Sequence, residues 1–229
     1  MRGRQAARIG LRGLPRRGQS RGAVLALQGS RPSDLERAWE LAADLTDSIL
    51  LVAVDGGLKT CRAARRKPDL FVGDGDSVVR VPRDVDAVLF ERDKDFSDLG
   101  GALLEMRRKR VRVVAVAGLT GGRLDHEWAN LFELGRHASE FAGILAPTSR
   151  GTVVVTSRGC RVAGVAGRTL SVFALGGAAT VTLRGARWVL ERRRLLAGSH
   201  GLSNIAEDPV DLRVHRGTVA LLLLPVGNW

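Results

Sequence analysis

Polar and apolar residues follow two different rhythms along this chain, and the change from one to the other divides it. Ala23-Val24-Leu25-Ala26-Leu27 is a short apolar run of the kind that forms a buried strand. Pro32-Ser33-Asp34 reads as a helix start, and Leu35, Ala38, Trp39, Ala42 and Leu45 follow at helical spacing. A second strand is expected over Ile49 to Val54, ending in Asp55-Gly56-Gly57, and a helix from Leu58 to Arg66 leads to Pro68. Leu70-Phe71-Val72 is the third strand and runs into Gly73-Asp74-Gly75-Asp76-Ser77. Ala87 to Phe90 is the fourth, followed by Lys94-Asp95-Phe96-Ser97-Asp98 and a helix from Leu99 to about Lys109. Val111 to Ala117 is the fifth, followed by Gly118-Leu119-Thr120-Gly121-Gly122-Arg123-Leu124-Asp125-His126 and a helix carrying Trp128, Leu131, Phe132 and Leu134.

From residue 151 the rhythm shortens. Thr152 to Thr156, Leu170 to Leu175, Ala179 to Leu183, Asp211 to His215 and Thr218 to Leu224 are β-branched runs separated by Gly-rich turns such as Gly176-Gly177 and Arg216-Gly217. The pattern predicts an α/β protein: a mostly parallel sheet with flanking helices over residues 23–147, followed by a smaller antiparallel β-sandwich domain over 151–229. Pro147 marks the boundary. Gly201-Leu202-Ser203-Asn204 lies before the last two strands and by itself reads as a turn.

The chemistry is in the loops. Asp55, Asp74, Asp76, Asp95, Asp98, Arg123 and Asp125 all fall just beyond the C-terminal ends of expected strands, the edge where open α/β sheets bind ligands. Asp74 and Asp76 are two apart after a strand, so in extended backbone their carboxylates face one point. Like charges a few ångströms apart repel unless a cation lies between them. A divalent cation carrying a polyphosphate, Mg²⁺ above all, fits such a pair. A solvated Gly/Asp turn is the plainer alternative for this stretch alone. No Walker-A lysine motif is present.

Composition changes this picture in one place. The formal net charge of +12 suggests nucleic acid, but seven arginines (Arg2, Arg4, Arg8, Arg12, Arg16, Arg17, Arg21) and no acid lie within residues 1–22. More than half of the excess thus belongs to a Gly/Arg-rich tail, expected to be disordered. It is read as an RNA-adhesive arm, an organelle presequence or an extension without a role, and nucleic acid is not expected as a partner of the remainder. Cys61 and Cys160 share no metal-ligand spacing, which points to a reduced, cytoplasmic protein. No run approaches the roughly 20 apolar residues of a membrane-spanning helix.

Taken in order, Asp55-Gly56-Gly57, Pro68-Asp69 with Gly73-Asp74-Gly75-Asp76-Ser77, Lys94-Asp95-Phe96-Ser97-Asp98, Gly121-Gly122-Arg123-Leu124-Asp125-His126 and Gly201-Leu202-Ser203-Asn204 resemble the thiamine pyrophosphokinases. Gly185-Ala186-Arg187-Trp188-Val189-Leu190 is similar to the strand that leads to that family's last loop. The resemblance covers roughly residues 23–226. It implies a homodimer that transfers pyrophosphate from ATP to the thiamine hydroxyl, with Mg²⁺ held by Asp74, Asp76 and Asp98. It also implies that Asp55, Gly56, Gly57, Lys94, Asp95 and Gly122 lie at the nucleotide, that Arg123 contacts phosphate and that Asp125 lines the same site. Ser203 and Asn204 would meet thiamine between the α/β part of one subunit and the β part of the other. Gly75 replaces the family's usual aromatic, Ser97 its usual threonine, and Gly100 and Ile205 stand where acids are common. These departures leave a pterin alcohol as an alternative acceptor and a non-catalytic thiamine- or nucleotide-binding homologue as an alternative role.

Overall fold

The computed structural model describes residues 7–76 and 81–225. Ser77, at the end of the acidic stretch, lies outside the described residues. Among the described residues, seventeen elements follow in chain order. The first part comprises β1 (Arg8–Leu11), β2 (Arg21–Ala26), α1 (Pro32–Ala43), β3 (Ser48–Val54), α2 (Gly57–Ala63), β4 (Leu70–Gly73), β5 (Asp86–Leu89), α3 (Asp98–Arg108), β6 (Val111–Ala117) and α4 (Leu124–His137). A single 3-10 turn (Ala138–Glu140) leads to β7 (Gly143–Thr148), β8 (Gly151–Thr156), β9 (Gly159–Ala163), β10 (Thr169–Ala186), β11 (Leu190–Leu195) and β12 (Asn204–Leu223).

The path through the sheet is β1-β9-β12-β8-β7-β6-β2-β3-β4-β5. From β7 to β5 every pair is parallel, and β2, β4 and β6 almost throughout, with β3 over its last four residues, are buried because helices cover both faces. Leu35, Ala38 and Ala42 of α1 and Leu58 and Cys61 of α2 pack into one apolar cluster. Leu99, Leu103 and Met106 of α3 and Leu134 of α4 pack into the other. Burial pushes the Cys61 thiol up to about 11 and the Cys160 thiol up to about 12, so neither is a nucleophile.

Three sequence expectations are corrected. The segment of residues 1–22 is not wholly a free tail: Arg8–Leu11 pairs with β9 in the register Arg8↔Ala163 to Leu11↔Cys160. Arg12 is bonded to Asp211 at 2.5 Å and Arg17 to Asp47 at 2.7 Å. Two of the tail arginines are therefore spent within the chain rather than offered to RNA. Next, the expected boundary at 147–151 is a tight turn between antiparallel neighbours β7 and β8, with Thr148↔Gly151 as the closing pair. The sheet continues through it, so the β half is an extension of the α/β sheet as well as a layer of its own. Finally, Gly176-Gly177 and Arg216-Gly217 do not end strands. β10 and β12 run through them with the register broken between Leu175 and Thr180, and the three glycines take positive φ angles of 71°, 141° and 81°.

Candidate functional site

Strand order reverses at β2, which has β3 on one side and β6 on the other, and a crevice opens at such a point beyond the carboxyl ends of the strands. Its walls are glycine-rich because backbones meet there. A Cβ at Gly57 would lie 1.8 Å from the carbonyl oxygen of Ala26, so no other residue fits between α2 and β2. A Cβ at Gly118 would lie 2.7 Å from the Ser30 side chain, and Gly29 faces Gly122. Gln28, Gly29, Ser30, Gly56, Lys59 and Thr60 line a cavity of about 310 Å³ here. The loop Gln28-Gly29-Ser30 has no charge and no aspartate, and sequence reasoning missed it.

The acids stand beside this crevice, at the ends of β3 and β4. Asp55 closes β3 with a left-handed φ of 44°, a conformation uncommon for a residue with a Cβ, and its amide donates to the Val72 carbonyl at 2.8 Å. The side chain is buried and its Oδ1 has no hydrogen-bond partner among the described residues. Asp55, Asp74 and Asp76 each bring a carboxylate oxygen within 4.8 Å of the others. An orphaned buried oxygen beside two further carboxylates is a donor set suited to a hard divalent ion.

Asp98, the third ligand implied by the resemblance, is outside that trio. Lys94 Nζ lies between it and the others, 3.1 Å from Asp74 Oδ2 and 3.2 Å from Asp98 Oδ1. The Asp76 backbone amide and then Lys94 hold Asp74 below the usual carboxylate range. Burial pushes Asp98 up, opposed by Lys94 and aided by Asp74 and Asp55. Lys94 is itself raised, since its two carboxylates more than offset the burial that disfavours its charge. Asp95, the neighbour of Lys94, is exposed. Ser97 caps α3 by accepting from Gly100 N–H at 3.0 Å, the role a threonine would play. A Cβ at Gly100 would lie 2.9 Å from Glu133 Oε2, so the acid absent at position 100 would have met a carboxylate already there.

On the other side of the crevice, Arg123 immediately precedes α4 and forms two bonds to Asp125, of 3.2 and 2.6 Å, with both side chains exposed. The pairing raises Arg123 and lowers Asp125. The amides of Gly121 and Gly122 donate to Glu127 Oε1 at 2.6 and 3.2 Å. Glu127 went unremarked in the sequence. An acid in the first turn of a helix is the signal that could have found it.

Ser203 and Asn204 lie in the β half, where β12 begins beside β10. Ser203 sits at φ 61°, its amide donating to Ser171 Oγ at 3.0 Å. Asn204 is buried. Its Nδ2 donates to the Trp188 carbonyl at 2.7 Å, and its Oδ1 accepts from Trp188 N–H at 3.1 Å. Asn204 thus pins the Trp188 loop beside a cavity of about 120 Å³ lined by Val172, Leu183, Trp188, His200, Leu202 and Asn204. Asn204→Ala should leave both Trp188 backbone groups unpaired and cost about 2–3 kcal/mol. That corresponds to a melting temperature lower by roughly 4–12 °C, read by thermal unfolding monitored by circular dichroism. An unchanged melting temperature would show that the Trp188 contacts carry no weight.

The fold and site together define a doubly wound α/β protein with an acidic, glycine-lined crevice and a β extension that carries a second cavity. Residues 42–144 match the family model described as thiamin pyrophosphokinase, catalytic domain. The thiamine pyrophosphokinase of Bacillus subtilis superposes with a TM-score of 0.73 at 19% identity, over 90% of this chain and 100% of that chain. The enzyme of Geobacillus thermodenitrificans gives 0.71 at 22%, over 90% and 99%. That of Candida albicans gives 0.66 at 12%, over 96% and 99%. No curated protein matches in sequence comparison. Its central segment thus resembles the catalytic domain of the thiamin pyrophosphokinases, and its fold is theirs.

Proposed function

We propose that the protein is a thiamine diphosphokinase: it transfers the pyrophosphoryl group of ATP to the hydroxyl of thiamine, giving thiamine diphosphate and AMP. The observation that carries this reading is the convergence of Asp55, Asp74 and Asp76 within 4.8 Å beside a glycine-lined crevice, in a chain whose residues 42–144 match the catalytic-domain model. The thiamine oxygen attacks the β-phosphorus, the bond from that phosphorus to the oxygen bridging the α-phosphate breaks with its electron pair leaving on AMP, and the hydroxyl proton passes to solvent. Such a step needs alignment and charge neutralisation more than a covalent nucleophile. Mg²⁺, when bound, supplies neutralisation of the phosphate oxygens. Asp55, Asp74 and Asp76 would hold it, with Asp98 across Lys94. The cavity at Gln28 to Ser30 and Gly56 would take part of the nucleotide. The amides of Gly121 and Gly122, once Glu127 swings away, would meet phosphate.

Arg123 would bind two phosphate oxygens, a geometry its present bidentate grip on Asp125 already displays. Arg123→Lys keeps the charge but not the fork, and is expected to lower kcat/KM about 10²-fold. A change below threefold would make Arg123 a surface residue.

The active unit would be a homodimer, with residues 23–147 of one copy and 151–229 of the other forming each site. Along the sheet six strand spacings, about 29 Å at ~4.8 Å each, separate β12 from β4, so Ser203 and the aspartates are expected to reach one small alcohol from different copies. Each half also exposes apolar surface beside its share of the site. α4 presents Leu124, Trp128 and Phe132 to solvent. The β half presents Trp188, Val189, Leu196 and Leu202. Exposed apolar clusters of this kind mark an interface, and mutual burial of the two would place Ser203 over the partner's cleft.

The overall reading is tested by incubating the protein with ATP, Mg²⁺ and a panel of alcohols that includes thiamine and a pterin alcohol. AMP and thiamine diphosphate should appear together, only with thiamine. AMP formed only with another alcohol would move the substrate, and none with any acceptor would leave a binding homologue.

A further inference from the structure

Lys94 is the one lysine of four that is not exposed: Lys59, Lys67 and Lys109 all stand in solvent, whereas its side chain is only 10% exposed. In a chain that otherwise uses arginine for nearly every cation, a lysine has been placed among aspartates. The reason lies in what each side chain can release. A guanidinium beside two carboxylates makes a rigid bidentate grip, whereas an ammonium is a compact charge on a flexible stem and can swing away.

We propose that Lys94 is a tethered stand-in for the divalent cation. It neutralises the cleft while the metal is absent, and it is displaced by the arriving ion toward the phosphates of the nucleotide. This rests on the reading of the cleft as a metal–nucleotide site. Three observations support it. Lys94 Nζ bridges Asp74, a member of the trio that can hold an ion, and Asp98, the acid the trio leaves out. The neutralisation is incomplete: Asp98 Oδ1, although 3.2 Å from the ammonium, and Asp55 Oδ1 both lack a hydrogen bond among the described residues. A single charge with three donors leaves such a deficit, which an ion of higher charge and coordination number would fill. Moreover, a divalent ion drawn to Asp74 would stand a few ångströms from the ammonium, and repulsion at that distance in a half-buried cleft drives one of the two cations out. The ammonium then finds its new counter-charge on the incoming phosphates. The cleft would accordingly take metal before, or together with, nucleotide, never nucleotide alone.

The exchange can be read without turnover. Wild-type protein is pulse-acetylated with acetic anhydride and Lys94 is followed by mass spectrometry, with Lys67 and Lys109 as internal references. Metal occupancy is measured on the same sample by the paramagnetic resonance of Mn²⁺. Acetylation of Lys94 should rise at least fivefold when Mn²⁺ binds and fall again when a non-hydrolysable ATP analogue is added. Lys94→Met should bind Mn²⁺ about tenfold more tightly without nucleotide, yet bind the Mn²⁺–ATP analogue more weakly than wild type. Bound Mn²⁺ with unchanged acetylation would overturn the exchange and leave the metal–nucleotide reading standing. A protein that binds no Mn²⁺ at all overturns both.

Discussion

Asp74→Asn should lower turnover by about 10²- to 10³-fold while leaving a folded protein, because this one side chain joins three parts of the cleft. Its Oδ1 accepts from the Asp76 amide at 3.0 Å, which orients the second aspartate. Its Oδ2 accepts from Lys94 at 3.1 Å, and its carboxylate belongs to the trio that can hold an ion. Asparagine keeps one acceptor, so the turn at Asp76 can persist. Its amide nitrogen, however, turns a donor toward both Lys94 and any cation. Loss of the negative charge also leaves Lys94 with Asp98 alone, which draws the ammonium toward α3. The fold should survive because the metal-free cleft carries one fewer mutually repelling carboxylate. The measurements are kcat at saturating Mg²⁺ and ATP, Mn²⁺ binding by paramagnetic resonance, and thermal unfolding without metal. Turnover within threefold of wild type would remove Asp74 from the site. Lost turnover with unchanged Mn²⁺ affinity would keep it in the cleft but not on the metal.

What could be read in the sequence depended on whether the information was local. β6 was expected over Val111 to Ala117 and is found there, since a central parallel strand buried on both faces is an unbroken apolar run. The loops after β3, β4 and β6 were also legible, because an aspartate or glycine at a strand end is a local signal. β1 was not: Arg8–Leu11 buries only Ile9 and Leu11, against a strand some 150 residues further along the chain. β11, Leu190–Leu195, is exposed over most of its length and shows no alternation to read. The glycines of β10 and β12 are read locally as turns, and only the register of partner strands makes them bulges. Within the site, side-chain spacing pointed to Asp74 and Asp76. That Asp55 completes the trio while Lys94 separates Asp98 from it is set by how three loops meet in space. Asn204 shows the same limit: the resemblance turned it toward thiamine, whereas the fold turns both ends of its amide toward Trp188.

The second large effect is a recovery of activity from two dead proteins. Asp76→Asn alters the α/β half, and Ser203→Ala alters the β half without disturbing the amide of residue 203 that donates to Ser171. If each site is built from the α/β half of one copy and the β half of the other, both homodimers should be nearly inactive. Mixing them with exchange of subunits forms heterodimers in which one composite site holds both alterations and the other holds neither. A 1:1 mixture with random pairing yields half heterodimers, each with one intact site of two, so activity should reach about a quarter of wild type. Dimer formation and exchange are followed by sedimentation and by mass spectrometry of differently tagged copies. Trp128→Glu, which puts a charge on the apolar face of α4, should yield monomers and abolish the recovery in the same assay. Confirmed exchange with no recovery would mean that each site lies within one chain. The Ser203 loop would then have to cross the span of six strands to reach the aspartates, or it would have no part in binding the alcohol.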